Sequence, residues 1–229
     1  MVRNLSDPAM PQLSPALLFT GFIWYVVFLF STTCHEASHA LAAKLGGDMT
    51  AALGGQVSLN PIPHIRRSFV GMVIVPILSF VAGGGMIGWA SAPYDPLWER
   101  RHPRRAGWMA LAGPAANFTL MLLSVALLHA GQALGWFPRT PFGVSANPIE
   151  ATLKVVFLLN LLLGTFNLLP VPPLDGSSGI LVMMNESSAQ KYLDAVRGSN
   201  YALAGLLVAW YVLSKFFPYV ESAAIQFFF

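Results

Sequence analysis

Residues 17–45 read LLFTGFIWYVVFLFSTTCHEASHALAAKL, a mostly apolar run without proline that carries a His-Glu-Ala-Ser-His cluster in its second half. A helix over this run is about 43 Å long at 1.5 Å per residue, enough to cross a hydrocarbon core of about 30 Å. Gly46 and Gly47 follow it, where a left-handed cap is usual. The rest of the chain agrees with a bilayer as solvent. Of its 229 residues, 55% are hydrophobic and 10% charged, against about a quarter charged in soluble domains. The expected fold is an all-α polytopic membrane protein, a single domain over residues 1–229 with about four to six membrane segments.

Working outward, Asp48 to Arg67 is too polar to span and reads as short extended pieces or loop near a membrane surface. Phe69 to Ala90 is apolar but is interrupted at Pro76 and at Gly83, Gly84 and Gly85. Ala106 to Ala130 and Ile149 to Leu169 are long enough to cross, and Tyr201 to Phe217 forms a last span. The polar loop Ser91 to Arg105 holds Arg100, Arg101, Arg104 and Arg105. Net charge is +3, and the arginines sit beside hydrophobic runs rather than along a polar face, so nucleic acid is not an expected partner. Arg3 precedes the first span, but a cleaved signal peptide would discard the His-Glu cluster and is rejected. Cys34 has no partner for a disulfide, lacks the upstream leucine of a lipoprotein site, and reads as a small buried side chain.

His35 and His39 stand at i and i+4, about 40° apart around a helix, so both imidazoles face one way and can take adjacent corners of a zinc ion. Glu36 is turned about 100° from His35 and lies beside the metal rather than on it, placed to take a proton from water. Three ionisable groups within five residues of an apolar helix are costly in hydrocarbon unless they serve a site. A catalytic zinc wants a third protein ligand, and the candidate is Asp175 in Asn167-Leu-Leu-Pro-Val-Pro-Pro-Leu-Asp-Gly176, directly beyond a span. Taken alone, Asp175-Gly176 also reads as a surface turn. With the histidine pair it reads as a ligand held by a helix that its prolines have broken.

The cluster His35-Glu36-x-x-His39, the stretch Gly113-Pro114-Ala115-Ala116-Asn117, and Asn167 through Pro173-Leu174-Asp175-Gly176 together resemble the site-2 protease family, the M50-type intramembrane zinc metalloproteases. The resemblance covers about Thr33 to Ile180 and corresponds to the compact form, with no gap long enough for a PDZ insert. It implies one zinc per chain on His35, His39 and Asp175, Glu36 as the general base, and cleavage of membrane-spanning or membrane-embedded protein substrates. The catalytic core is then about 17–180, with a C-terminal span at about 201–217. Asn117 and Asn167 are candidate substrate-positioning or oxyanion donors, while Asn117 alternatively ties helix to helix. The stretch Leu59-Asn60-Pro61-Ile62-Pro63-His64 resembles a segment that follows the active-site helix in compact members. His64 is read there as structural. Extended pieces between Asp48 and Asn60 would hold an unwound substrate by strand addition. A membrane metal-ion transporter or sensor using the same ligands is the alternative reading, and an inactive relative that binds membrane partners is a third.

Bringing Asp175 to His35 and His39 requires the first span and Ile149 to Leu169 to point the same way. Only Ala106 to Ala130 should then cross between them, so Phe69 to Ala90 is expected to be a re-entrant hairpin broken at Pro76 or among Gly83 to Gly85. Lys44, Arg66, Arg67, Arg100, Arg101, Arg104, Arg105, Lys191 and Arg197 then share one side, 9 of 13 basic residues. That asymmetry puts the histidine side in the cytoplasm, with a prokaryotic plasma membrane as the natural setting.

Overall fold

A computed structural model describes residues 15–83, 85–145, 147–197 and 202–229. Arg3, Gly84 and Tyr201, used above, lie outside them. Among the described residues there is no strand. The first span is α1 (Pro15–Gly46), which ends at Gly47 with φ +99, the left-handed conformation expected of the cap. Its outer face, Leu18, Phe22, Val26 and Phe30, is exposed at a four-residue spacing, while Val27 and Phe28 are buried. An apolar side chain on both faces is what a helix packed in a bundle and wetted by lipid requires.

Asp48 to Arg67 is not extended. It forms α2 (Thr50–Leu53) and α3 (Pro61–Arg67), because its polar side chains close local turns. Asp48 Oδ1 accepts from Thr50 N and Oγ1, and Asn60 Oδ1 caps α3 at Ile62 N, with proline at the first helical position. The strand-addition role expected of this segment therefore loses its basis. His64 is buried, and its Nε2 lies 3.0 Å from Ser58 O, which ties α3 to the preceding loop.

The chain then turns through a π-helical turn (Val70–Ile74) into α4 (Val75–Gly83), bent by 111° from α3. From residue 85 it is irregular and doubles back. Ile87 N bonds Ser79 Oγ, Trp89 N bonds Gly71 O at 3.1 Å, and Ser91 O accepts from Arg67 Nε at 3.0 Å. The two ends of the segment thus meet at one end of the bundle, in the form of the expected hairpin. Its return limb and Phe80 pack on α1 and α7 through Val27, Phe28, Met86 and Leu159.

After α5 (Pro96–Arg101) come two spans, α6 (Pro103–Ala133) and α7 (Pro148–Asn167). α6 runs antiparallel to α1: Arg105 Nη1 bonds Gly46 O, Met109 O meets His39 and Asn117 meets His35. α7 returns alongside α1, and its end leads through a Pro-rich loop to α8 (Asp175–Gly179), a 3₁₀ turn (Ile180–Met183) and α9 (Glu186–Arg197). The last helix, α10 (Ala202–Phe228), continues through Pro218, well beyond the Phe217 boundary expected. Among the described residues, four helices are long and apolar enough to cross a membrane, and the bent pair after α1 makes up to five.

Candidate metal centre

The site is built where α1, α6 and α7 share one buried polar chain. Asn160 Nδ2 donates to Val156 O and to Ser31 Oγ, each at 2.9 Å. A backbone carbonyl can only accept, so this contact orients the Asn160 amide and leaves its Oδ1 to receive Asn117 Nδ2 at 2.9 Å. Asn117 Oδ1 then faces His35 Nδ1 at 2.6 Å, which makes that nitrogen the donor. His39 Nδ1 lies 2.8 Å from Met109 O, again a pure acceptor, so it too carries the proton. Pro114 interrupts the α6 ladder in the turn beyond that carbonyl. With both Nδ1 atoms protonated, each neutral imidazole presents a bare Nε2 lone pair.

Those two Nε2 atoms stand 2.9 Å apart, and Asp175 Oδ2 lies 3.0 Å from His35 Nε2 and 3.3 Å from His39 Nε2. Asp175 Oδ2 is buried and accepts no hydrogen bond. Three lone-pair donors facing each other repel unless a cation joins them. Two imidazoles and a carboxylate are a zinc donor set, and bonds of about 2.0–2.1 Å put tetrahedral corners about 3.3 Å apart, close to these separations. Gly113 leaves the space open: a Cβ there would lie 2.3 Å from His39 Nε2 and 2.5 Å from His35 Nε2. The residues therefore fit a zinc ion.

Asp175 is delivered by a loop closed by two backbone bonds of its own, Val171 N to Leu169 O and Leu174 N to Val171 O. The Pro172–Pro173 peptide is cis. Gly176 serves by close approach and not by a special dihedral, since a Cβ would stand 2.2 Å from Leu168 O. Ser177 is held from α9 by Tyr192, whose hydroxyl donates to Ser177 O at 2.8 Å.

Glu36 is buried, and its Oε2 has no hydrogen-bond partner. It lines two cavities that meet at Glu36 and Asp175. One, of about 650 Å³, is mostly apolar; it lies between the return limb at Ile87–Ser91, α7 at Leu163, Phe166 and Asn167, and α10 at Leu206, Leu207 and Trp210. The other, of about 190 Å³, runs toward the end of α1 past His39, Ala43, Tyr94, Glu99 and Ser178.

Of the residues expected from sequence, His35, His39 and Asp175 converge and Glu36 adjoins them. Asn117 is engaged at both ends of its amide, Oδ1 with His35 and Nδ2 with Asn160, the helix-to-helix tie that was its alternative reading. Asn167 gives its amide to Leu163 O within α7 and lines the apolar cavity. Sequence reasoning missed Ser31, Asn160 and the Met109 carbonyl. A lone Asn in the run Leu158-Leu159-Asn160-Leu161 was a usable signal, because a buried amide in a span must find partners. A backbone carbonyl leaves no mark in sequence.

Comparison with known proteins adds an independent line. The profile described as Peptidase family M50 matches residues 23–210. The chain belongs to this family. Relatives of this M50 chain include the provisionally named zinc metalloprotease YwhC of Bacillus subtilis (strain 168), 33% identical over 153 residues, or 66% of this chain and 64% of the relative. The match thus spans just under two thirds of YwhC. Two mycobacterial proteins named in the same provisional way are also similar. Rip2 of Mycolicibacterium smegmatis is 28% identical over 88% of this chain and 73% of its own length, and Rip2 of Mycobacterium tuberculosis (strain H37Rv) is 31% identical over 84% and 68%. No solved structure matches.

Proposed function

We propose that this M50 chain is a single-domain intramembrane zinc metalloprotease that hydrolyses peptide bonds of membrane-spanning or membrane-embedded proteins. The observation that carries the reading is the pair of bare Nε2 atoms and the unbonded Asp175 carboxylate meeting beside an unpartnered Glu36. His35, His39 and Asp175 would hold one zinc per chain. When bound, zinc lowers the pKa of water toward about 7 and polarises a carbonyl.

The chain's own residues do the remainder. Water reaches Glu36 by the smaller cavity, and Glu36 Oε2 takes its proton as the oxygen attacks the carbonyl carbon. Glu36 returns that proton to the amine nitrogen as the C–N bond breaks. Asn117 and Met109 O keep both histidines in the liganding tautomer, and the larger cavity receives the apolar substrate from the membrane side.

A helical substrate cannot be cut while its carbonyls are bonded within the helix. The return limb offers a way to hold it open. Ile87, Trp89 and Ser91 bond the other limb through their backbone, and the stretch from Ile87 to Ser91 lines the larger cavity. Strand addition there replaces the Asp48–Asn60 edge. Asn167 is the substrate-positioning candidate that remains. The basic loops orient the polar cavity toward the cytoplasm of a prokaryotic cell.

The test compares membrane peptides of cells carrying the wild type with those of cells carrying Glu36→Gln. The proposal expects fragments of membrane proteins that depend on Glu36, and identical peptide profiles would overturn it. A metal-ion transporter needs successive polar sites along a path. The described residues hold a single group of three candidate ligands.

A further inference from the structure

Among the described residues, the two cavities at the metal centre share six lining residues, Glu36, Ala90, Ser91, Pro173, Leu174 and Asp175. A substrate that runs from one cavity into the other passes this junction, beside the base and a metal ligand. Two of the six are carboxylates that already have a role, and three carry apolar side chains. Ser91 alone brings a side chain that can donate a hydrogen bond. The remaining hydroxyls and amides border one cavity only, Tyr94 and Ser178 the smaller, Thr32 and Asn167 the larger.

The fold holds Ser91 by its backbone. Its carbonyl accepts from Arg67 Nε at 3.0 Å, and two residues earlier Trp89 N donates to Gly71 O at 3.1 Å. The two limbs approach so closely there that a Cβ on Gly71 would stand 2.2 Å from Trp89 O. These bonds engage main-chain atoms of the return limb and leave the Ser91 hydroxyl for another partner. A donor set in place before the substrate arrives needs no reorganisation as charge develops.

The chemistry at the junction calls for such a donor. As the water oxygen bonds the carbonyl carbon, the π electrons of the C=O bond move onto its oxygen. Glu36 then holds the proton taken from water, which it owes to the leaving amine, and a carboxylate such as Asp175 can only accept. Resting on the protease reading above, we infer that Ser91 is the side-chain oxyanion donor, whose hydroxyl gives a hydrogen bond to the scissile carbonyl oxygen as that oxygen gains charge. No proton leaves Ser91. When the C=O bond re-forms and the C–N bond breaks, the oxygen loses its charge and the hydrogen bond weakens with it.

Purified zinc-loaded wild type, Ser91→Ala and Ser91→Thr, given one synthetic membrane-segment peptide, test the assignment. In Ser91→Ala kcat should fall by about 10–100-fold, the scale of a hydrogen bond to a charged group, with KM unchanged because the contact forms only in the transition state. Ser91→Thr keeps the hydroxyl and should restore most of the rate. A phosphinic analogue of the same peptide, whose charged oxygen stands where the oxyanion forms, reads the contact without turnover. Its affinity should fall in Ser91→Ala by the same factor, whereas Glu36→Gln should bind the uncleaved peptide equally well with and without Ser91→Ala. If wild type cuts no peptide but binds the analogue more tightly than Ser91→Ala does, the protease reading fails and the Ser91 contact stands. If Ser91→Ala cuts with the kcat of a cleaving wild type, the assignment fails and the protease reading stands. Equal affinity of wild type and Ser91→Ala for the analogue, no binding of it by wild type, or an equal loss in Ser91→Thr also overturns the assignment. Zinc content and thermal unfolding should match wild type in Ser91→Ala; a loss of either would make Ser91 a structural residue and overturn it too.

Discussion

Replacing Gly113 by alanine adds one methyl group at the most constrained point of the site. The new carbon would lie 2.3 Å from His39 Nε2 and 2.5 Å from His35 Nε2, and an ordinary contact of about 3.5 Å requires each ring to retreat by about 1 Å. Neither can do so in place, because His35 Nδ1 is held at 2.6 Å by Asn117 and His39 Nδ1 at 2.8 Å by Met109 O. Loss of one such outer partner costs about 10–100-fold in metal affinity. Here both are strained while the nitrogens are displaced, so zinc affinity should fall by at least about 100-fold. In an unconstrained helix the same exchange would stabilise by about 0.5–1 kcal/mol, so general destabilisation of α6 is not the expected cause. Zinc titration against a competing chelator, with thermal unfolding in detergent as a companion measurement, reads both effects. Wild-type zinc affinity in Gly113→Ala would refute the geometry assigned to the centre.

Other outcomes follow from the same structure. Asp175→Ala should lose zinc on dialysis, whereas Asp95→Ala and Asp194→Ala should keep it, since those two carboxylates pair with Arg101 and Arg100 on the surface; metal analysis of the three proteins decides. In a Cys34→Ser background, single cysteines at Ser68 and Ser91 should react with an impermeant thiol reagent from the same side, because Arg67 and Ser91 are bonded to each other; labelling from opposite sides would refute re-entrance. Burial alone would raise the Asp48 carboxyl, but bonds from the Thr50 hydroxyl and amide and from the Asp95 amide hold it below the usual carboxylate range. A lowered folded value stabilises above the unfolded value of about 3.9, and that stability is lost as pH falls through the folded one. The advantage of wild type over Asp48→Asn in thermal unfolding should therefore be full at neutral pH and shrink below about pH 4.

The spans were legible because lipid demands long apolar helices, and α1, α6 and α7 fall within a few residues of the runs read from sequence. The metal cluster was legible for a related reason: His35, Glu36 and His39 are expensive where they stand unless they serve a site. The hairpin followed from connectivity, because Asp175 could reach the histidines only if the segment after α1 returned to its own side. Asp48 to Arg67 was read as short extended pieces or loop; the chain between α2 and α3 is loop, but short-range caps at Asp48 and Asn60 decided for helix in place of extended pieces. Asn117 was half legible. Its burial and role as a tie were foreseeable, but that its amide sets the tautomer of His35 depends on Asn160 and on the Val156 carbonyl, contacts that exist only after three helices assemble. Glu99 was invisible because only the docking of Trp98 against Gly46 turns a surface loop inward.

The central claim separates metal holding by His35, His39 and Asp175 from proton transfer by Glu36, and purified Glu36→Gln tests it most directly. Zinc content and cleavage of one membrane-segment peptide are measured on the same preparation, beside wild type. The account predicts one zinc per chain in both proteins and a loss of cleavage by at least about 100-fold in Glu36→Gln, the lower end of general acid–base contributions. Cleavage by zinc-loaded Glu36→Gln at the wild-type rate would contradict it.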